Sequence, residues 1–331
     1  MFHDILLLII GLCLILAGGN YLTDGAQSVA RRFGISPLVI GLTVVAFGSS
    51  TPDLAVSLFS TIEGKSQLAL GDVVGANIFD LLLVVGIMAL VSPVPISADM
   101  RRISLPMLFL SGVALFVCGD DSLFDSTPDI VSRTDGIMLM GFFIIFLCIT
   151  WTLAHRRNDD TRMLRPDRSI SQKSETEQRP PMKIWLAIVC IVGGLAALVA
   201  GGNWIVDGAS GIAHRAGLSE AMIGLTVVAF GSSVPDLATS VIAAVKRQPG
   251  IALGNVIGSC IFNALMCIGV CAIARPLDAA HISVVDFGTL MTAGLVIWIS
   301  GLAGKRMITR TEGGGLVAAY IAYMVYVIIT G

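Results

Sequence analysis

One segment, IGLTVVAFGSS, occurs twice without a change, at Ile40–Ser50 and at Ile223–Ser233, and each copy runs through one further residue into Pro-Asp, at Asp53 and at Asp236. The copies stand 183 positions apart, and the same offset matches Ala17–Asn20 with Ala200–Asn203, Asp24–Ala26 with Asp207–Ala209, Ala69–Gly71 with Ala252–Gly254, and Ile78-Phe79 with Ile261-Phe262. A repeat this long means that one structural unit was duplicated, so the two halves share a fold.

The surroundings of the repeat decide which fold. The chain has 331 residues, of which 55% are hydrophobic and 13% charged, with a mean hydropathy of +0.86. That is too apolar for a soluble domain and matches a polytopic, all-α membrane protein. With roughly 20 apolar residues per crossing, the sequence predicts ten spans, at about 5–30, 36–61, 67–92, 102–119, 134–155, 184–212, 218–245, 250–274, 282–303 and 314–330. No cleavable signal peptide is expected, because the first apolar run follows MFHD without a basic stretch and continues into the repeated unit. The seven cysteines are scattered within predicted spans and read as small buried apolar residues, not as disulfides or a metal cluster. His3, His155, His214 and His281 fall near span ends and give no metal site.

Residues 156–183 form the extended hydrophilic segment, with eight basic and five acidic residues. They divide the chain into a first half, 1–155, and a second, 184–331. Five helices per half is an odd number, so the second half enters the membrane upside down and the repeats are inverted. With both termini outside, the inner side collects Arg31, Arg32, Arg101, Arg102, the eight basic residues of the central segment, Lys246, Arg247, Lys305, Arg306 and Arg310, which is 17 of 21 Lys and Arg. Such a bias predicts ten spans with both termini outside and the central loop in the cytoplasm. The expected partners are the lipid bilayer and inorganic cations, with no nucleic acid and no obligatory protein partner.

Asp53, Asp80 and Asp236 fall within predicted spans. Each carboxylate at mid-membrane costs about 2.5–3.5 kcal/mol on insertion scales, together roughly 8–10 kcal/mol, unless something offsets it. No Lys or Arg lies near them in sequence, which leaves protons, a water-filled cavity or bound cations. Ser49, Ser50, Ser232 and Ser233 supply hydroxyls beside the acids, Asn263 and Ser259 add an amide and a hydroxyl from the third helix of the second half, and this oxygen-rich set selects hard cations. Pro52 and Pro235 remove a backbone donor beside Gly48 and Gly231, which predicts a disturbed helix with free carbonyls around Ala46 and Ala229. Asp72 opposes Asn255 and reads either as the mouth of a pathway or as a solvated helix end. Asp24 and Asp207 read as helix-end or interfacial residues.

The segments GLTVVAFGSSTPDLAVS and GLTVVAFGSSVPDLATS, each followed by a GxxxG helix ending in Asp80 or Asn263, resemble the α-1 and α-2 repeats of the calcium/cation antiporter superfamily, the sodium/calcium exchangers of prokaryotic type. The resemblance covers nearly the whole chain. It implies secondary exchange of Ca²⁺ for Na⁺ by alternating access, without a cofactor, with H⁺ or K⁺ as alternative coupling ions. It places Asp53 and Asp236 as the central acids, completed by Asp80 and Asn263, and makes Ser49, Ser50, Ser232, Ser233, Ser259 and the carbonyls of Ala46 and Ala229 flanking sodium ligands. Members of the family often carry Glu where Asp53 and Asp236 stand, and Ser where Ala76 stands. A rival from another class, an intramembrane aspartyl protease using Asp53 and Asp72, conflicts with the second half, which repeats Asp53 as Asp236 but turns Asp72 into Asn255. An antiporter and not an enzyme is therefore expected.

Overall fold

The computed structural model describes residues 2–120, 129–163, 182–215, 229–280, 282–302 and 306–330. Within them the chain forms helices α1 (Phe2–Phe33), α2 (Pro37–Ile62), α3 (66–91), α4 (Met100–Gly119) and α5 (Arg133–Met163). The second half supplies α6 (Ile184–Arg215), α7 (Ala229–Val245), α8 (Pro249–Ala274), α9 (Val284–Leu302) and α10 (Arg310–Thr330). Among the described residues nine of these are long and apolar enough to cross a bilayer; α7 contributes the shorter apolar stretch Ser233–Val245, since residues 216–228 lie outside the described ones.

Local sequence sets the helix starts. Ser36 accepts from Leu38 N–H with Pro37 opening α2. Reciprocal capping pairs open three more helices. Asp135 accepts from Ser132 N–H at 2.8 Å before α5, Asp286 from Ser283 N–H at 2.8 Å before α9, and Glu312 from Thr309 N–H at 2.7 Å before α10. The last of these starts α10 at Arg310 instead of 314. At the other end of the first half α5 runs on to Met163, past the boundary expected at 155; the remaining linker residues 164–181 lie outside the described ones.

Large apolar side chains face outward, among them Ile9 and Leu12 on α1, Ile144 and Ile145 on α5, Ile188 and Val192 on α6, and Ile328 on α10. In water this would be an unfavourable surface; in hydrocarbon it is the expected one, because each helix satisfies its own backbone. Cys13 and Cys148 lie on these outer faces and are exposed, which corrects their expected burial, whereas Cys118, Cys260, Cys267 and Cys271 are buried; no disulfide joins any of the seven among the described residues. Trp151 and Trp185 stand exposed on either side of the central linker, where indole rings favour the membrane interface.

The repeat is visible as a two-fold relation between contacts. A Cβ on Gly11 would meet the Gly201 carbonyl at 2.8 Å, and the pair shifted by 183, Gly194 and Gly18, meets at 2.7 Å. Gly25 against Ala187 and Gly208 against Asp4 repeat the relation. Residue numbers rise on α1 as they fall on α6, so these equivalent helices run antiparallel and their backbones touch along a glycine stripe. Where α3 crosses α8, Asn77 Nδ2 donates to the carbonyl of Cys260 at 3.2 Å, and Asn77 and Cys260 are themselves equivalent positions. The two-fold axis therefore passes between them.

Two short ladders lock the halves together. Strand β1 (Val94–Pro95), after α3, pairs antiparallel with β4 (Met307–Ile308), before α10, and β3 (Leu277–Asp278), after α8, pairs with β2 (Ile130–Val131), before α5. Each half's last helix thus packs on the third helix of the other half, with Gly313 against Gly86 and Gly136 against Gly269. Replacing Gly194 by Val should push α1 and α6 apart and destabilise the protein by roughly 1–3 kcal/mol, whereas Gly141→Ala, where a Cβ meets nothing within 4 Å, should be near neutral; thermal unfolding in detergent measures both.

Candidate cation site

The site lies where α2, α3, α7 and α8 meet. Asp53, Asp80 and Asp236 are 4%, 1% and 3% exposed, and Ser49, Ser50, Ser233, Ser259 and Asn263 are buried around them. Asp53 and Asp236 act electrostatically on each other, and both act on Asp80. The structure therefore brings together the acids that the sequence singled out from three different helices. Ion pairs among the described residues are Asp4 with His3 and Arg215, Glu63 with Lys65, and Asp24 with Lys246, each with a member near a helix end; none reaches these three acids.

Asp80 and Asn263 sit in π-helical turns at equivalent positions, Phe79–Val84 and Phe262–Cys267. Such widened turns shift the hydrogen-bond ladder and recur at functional sites. Both carboxylate oxygens of Asp80, the amide oxygen of Asn263 and Ser50 Oγ are buried without a hydrogen-bond partner, and the Asn263 amide nitrogen lies beside Asp53 without a well-formed bond to it. In a native interior orphaned polar atoms are rare and each leaves desolvation uncompensated.

Asp236 is held differently. Asn255 Nδ2 donates to Asp236 Oδ1 at 3.1 Å and to Ser240 Oγ at 3.0 Å, and Ser259 Oγ donates to the same Asp236 oxygen at 3.3 Å. Ser49 Oγ lies 3.2 Å from Asn255 Oδ1 and 3.1 Å from the carbonyls of Val45 and Ala46, and its one proton serves one of them at a time. Asn255 therefore links the two repeats through Ser49 and Asp236. Sequence reasoning treated it only as the counterpart of Asp72, although one signal was present: Asp72 and Asn255, like Ser57 and Ser240, are polar at matching positions of apolar helices.

The disturbance expected upstream of Pro52, around Ala46, takes the form of a widened turn that ends just before Ala46, with no break at the proline itself. α2 is π-helical over Gly41–Val45 and regular from Ala46 through Pro52 to Ile62. Proline removes one donor, which a well-packed helix tolerates. The wide turn sits where Gly41 lets α2 press against α8, a Cβ there lying 2.8 Å from the Ile251 carbonyl. Gly254 and Gly258 of α8 face the same contact, so the GxxxG spacing of this helix is used in packing. In the second copy Ala229 opens the described part of α7, Ser232 has a described backbone only, and the expected disturbance upstream of them falls outside the described residues, as do His281 and the side chains of His155 and His214.

Among the described residues no three His, Cys, Asp or Glu side chains converge at metal-ligating distance. Hydroxyl, amide and carbonyl oxygens must therefore complete any cation shell here. Asp24 bonds Lys246 at 2.7 Å and Asp207 is exposed; both lie more than two turns inside their helices and cap neither.

An internally repeated helical bundle with acids buried at its centre has the architecture of a secondary membrane transporter. The chain belongs to the sodium/calcium exchanger protein family, whose model matches residues 3–152 and 186–329. It is accordingly a multi-pass cation antiporter and not an enzyme, and the protease reading of Asp53 and Asp72 falls. Sodium/calcium exchanger MaX1 of Methanosarcina acetivorans is 30% identical, with 97% of each chain covered. Inner membrane protein YrbG of Escherichia coli is 35% identical over 82% of this chain and 79% of its own. A solved structure of the sodium-calcium exchanger NCX_Mj superposes with a TM-score of 0.81 at 27% identity, covering 98% of this chain and 99% of that one.

Asn255→Leu keeps the volume but deletes the donors to Asp236 and Ser240. It should raise the half-saturating cation concentration about tenfold, the equivalent of about 1.4 kcal/mol for a charge-assisted hydrogen bond, as measured by tracer uptake into vesicles.

Proposed function

We propose that the chain exchanges Ca²⁺ for Na⁺, with Asp53, Asp80 and Asp236 carrying the charge that either load must balance. The supporting observation is the buried acid set without a cationic side chain, joined by the orphaned oxygens of Asp80, Asn263 and Ser50. Ser49, Ser233 and Ser259, with Ser232 and the carbonyls of Ala46 and Ala229, add the neutral oxygens that a Ca²⁺ or Na⁺ shell requires. Because the carboxylates cannot hold both loads, the ions compete, and competition produces coupling.

Alternating access follows in this reading from α1 and α6, held to each other by their glycine contacts, sliding as a pair over the rest of the bundle. Residues 1–155 and 184–331 act as the two halves and 156–183 as the linker, placed in the cytoplasm with both termini outside, in the plasma membrane of a prokaryote. Lys246 Nζ bonds Asp24 Oδ1 at 2.7 Å and the Asn20 carbonyl at 3.0 Å, tying α1 to the end of α7 on the linker side. The equivalent positions at the opposite end, Asp207 and Glu63, are both acidic and offer no such tie.

Calcium flux into everted vesicles, driven separately by imposed sodium and pH gradients, tests the coupling ion. Sodium-driven flux is expected; flux that follows only the pH gradient, or that requires K⁺, would replace Na⁺ in this scheme. Asp53→Asn should reduce transport more than a hundredfold, since stripping one charge from a buried set costs about 3–5 kcal/mol, and near-normal transport would sink the assignment. The Asp24–Lys246 pair is partly exposed, and such pairs contribute about 0.2–1 kcal/mol. Lys246→Ala should therefore change the ratio of half-saturating cation concentrations on the two membrane faces by only about two- to fivefold.

A further inference from the structure

The two halves differ at one buried polar cluster, and the difference is one of charge and of hydrogen-bond donors. In the second half the Asn255 amide nitrogen bridges Asp236 Oδ1 at 3.1 Å and Ser240 Oγ at 3.0 Å, so an acid and a hydroxyl share one donor group. At the matching positions of the first half stand Asp53, Ser57 and Asp72. Replacing the amide by a carboxylate removes both donors and adds a negative charge. The expected consequence is present: Ser57, 1% exposed, has a buried Oγ that makes no well-formed hydrogen bond and has the Asp72 carboxylate and the Cys267 thiol as polar neighbours, while Asp72 acts electrostatically on Asp53. Among the described residues no ion pair supplies a Lys or Arg to Asp72.

Two carboxylates and a hydroxyl that meet in place of an acid, a hydroxyl and an NH₂ need a positive charge where the NH₂ hydrogens would be. We propose that Asp53, Ser57 and Asp72 form an additional alkali-cation site, displaced from the central acids along α2 toward the membrane face opposite the linker. All its side-chain ligands are oxygens, which suits Na⁺, and water completes the shell because Asp72 is only half-buried. The second half has no counterpart, since Asn255 already supplies the donors there. The site shares Asp53 with the exchange reading above and so rests on it. It adds one monovalent charge to the sodium-loaded state.

Equilibrium binding of ²²Na⁺ to the purified full chain tests this directly. Wild type should bind about one more Na⁺ per chain at saturation than Asp72→Asn, a variant that copies the Asn255 arrangement and can donate to both Asp53 and Ser57. Ser57→Ala should keep the wild-type number but weaken one ion about tenfold. Equal sodium numbers in wild type and Asp72→Asn would overturn the proposal. So would a difference that appears as one extra bound proton, seen as uptake from unbuffered solution, in place of a sodium ion. Asp236→Asn separates the two claims: if it binds sodium and calcium as wild type does, the central-site reading fails, whatever Asp72→Asn does.

Discussion

A carboxylate cannot remain bare in hydrocarbon, and this protein buries three at the crossing of its helices. Helices α2, α3, α7 and α8 bury these side chains, and the close-packed glycines of α1 and α6 and the interlocked terminal helices hold the bundle together around them. The polar atoms around the acids are not spent on one another. Both carboxylate oxygens of Asp80, the amide oxygen of Asn263 and the hydroxyl of Ser50 are unpartnered, and Asn263 and Ser57 approach Asp53 and Asp72 without well-formed hydrogen bonds. Such unused hydrogen-bonding capacity is rare in a protein interior, where buried polar atoms are ordinarily paired.

Duplication supplies the scaffold and departures from it supply the chemistry. Along the two-fold relation the backbones agree closely, down to the paired π-helical turns at Asp80 and Asn263 and the antiparallel glycine contacts. The side chains differ at a few positions. Ser259 bonds Asp236, but its equivalent, Ala76, has nothing to offer Asp53. Asn255 clamps Asp236, whereas Asp72 adds charge beside Asp53. The two central acids are thus chemically unlike, one held by donors and the other set among acceptors. A symmetric path with an asymmetric site can present different affinities to its two faces without any change of fold.

Much of this was legible before any coordinates. The exact repeat fixed the equivalence of the halves, hydropathy gave the helices, and the odd number per half required inversion. Asp53, Asp80 and Asp236 stood out because an unpaired acid in an apolar span demands a partner. The Pro-Asp motif pointed to an irregular helix around Ala46, and the widened turn lies directly before it at Gly41–Val45, where Gly41 packs against α8. Helix ends shifted, since capping pairs such as Thr309 with Glu312 override the hydropathy boundary.

The sequence by itself determined that this is a duplicated, inverted, membrane-spanning chain with acids at equivalent points, because composition, period and burial cost are local or additive properties. Only the tertiary structure decided which polar atoms meet. Ser49 and Asn255 are far apart in the chain and touch across the two-fold axis, and the partners of Asp236 are set by side-chain rotamers at a helix crossing. Hydrogen bonds depend on distances of a few tenths of an ångström, and no pattern of residues along one chain encodes distance at that scale until the helices have packed.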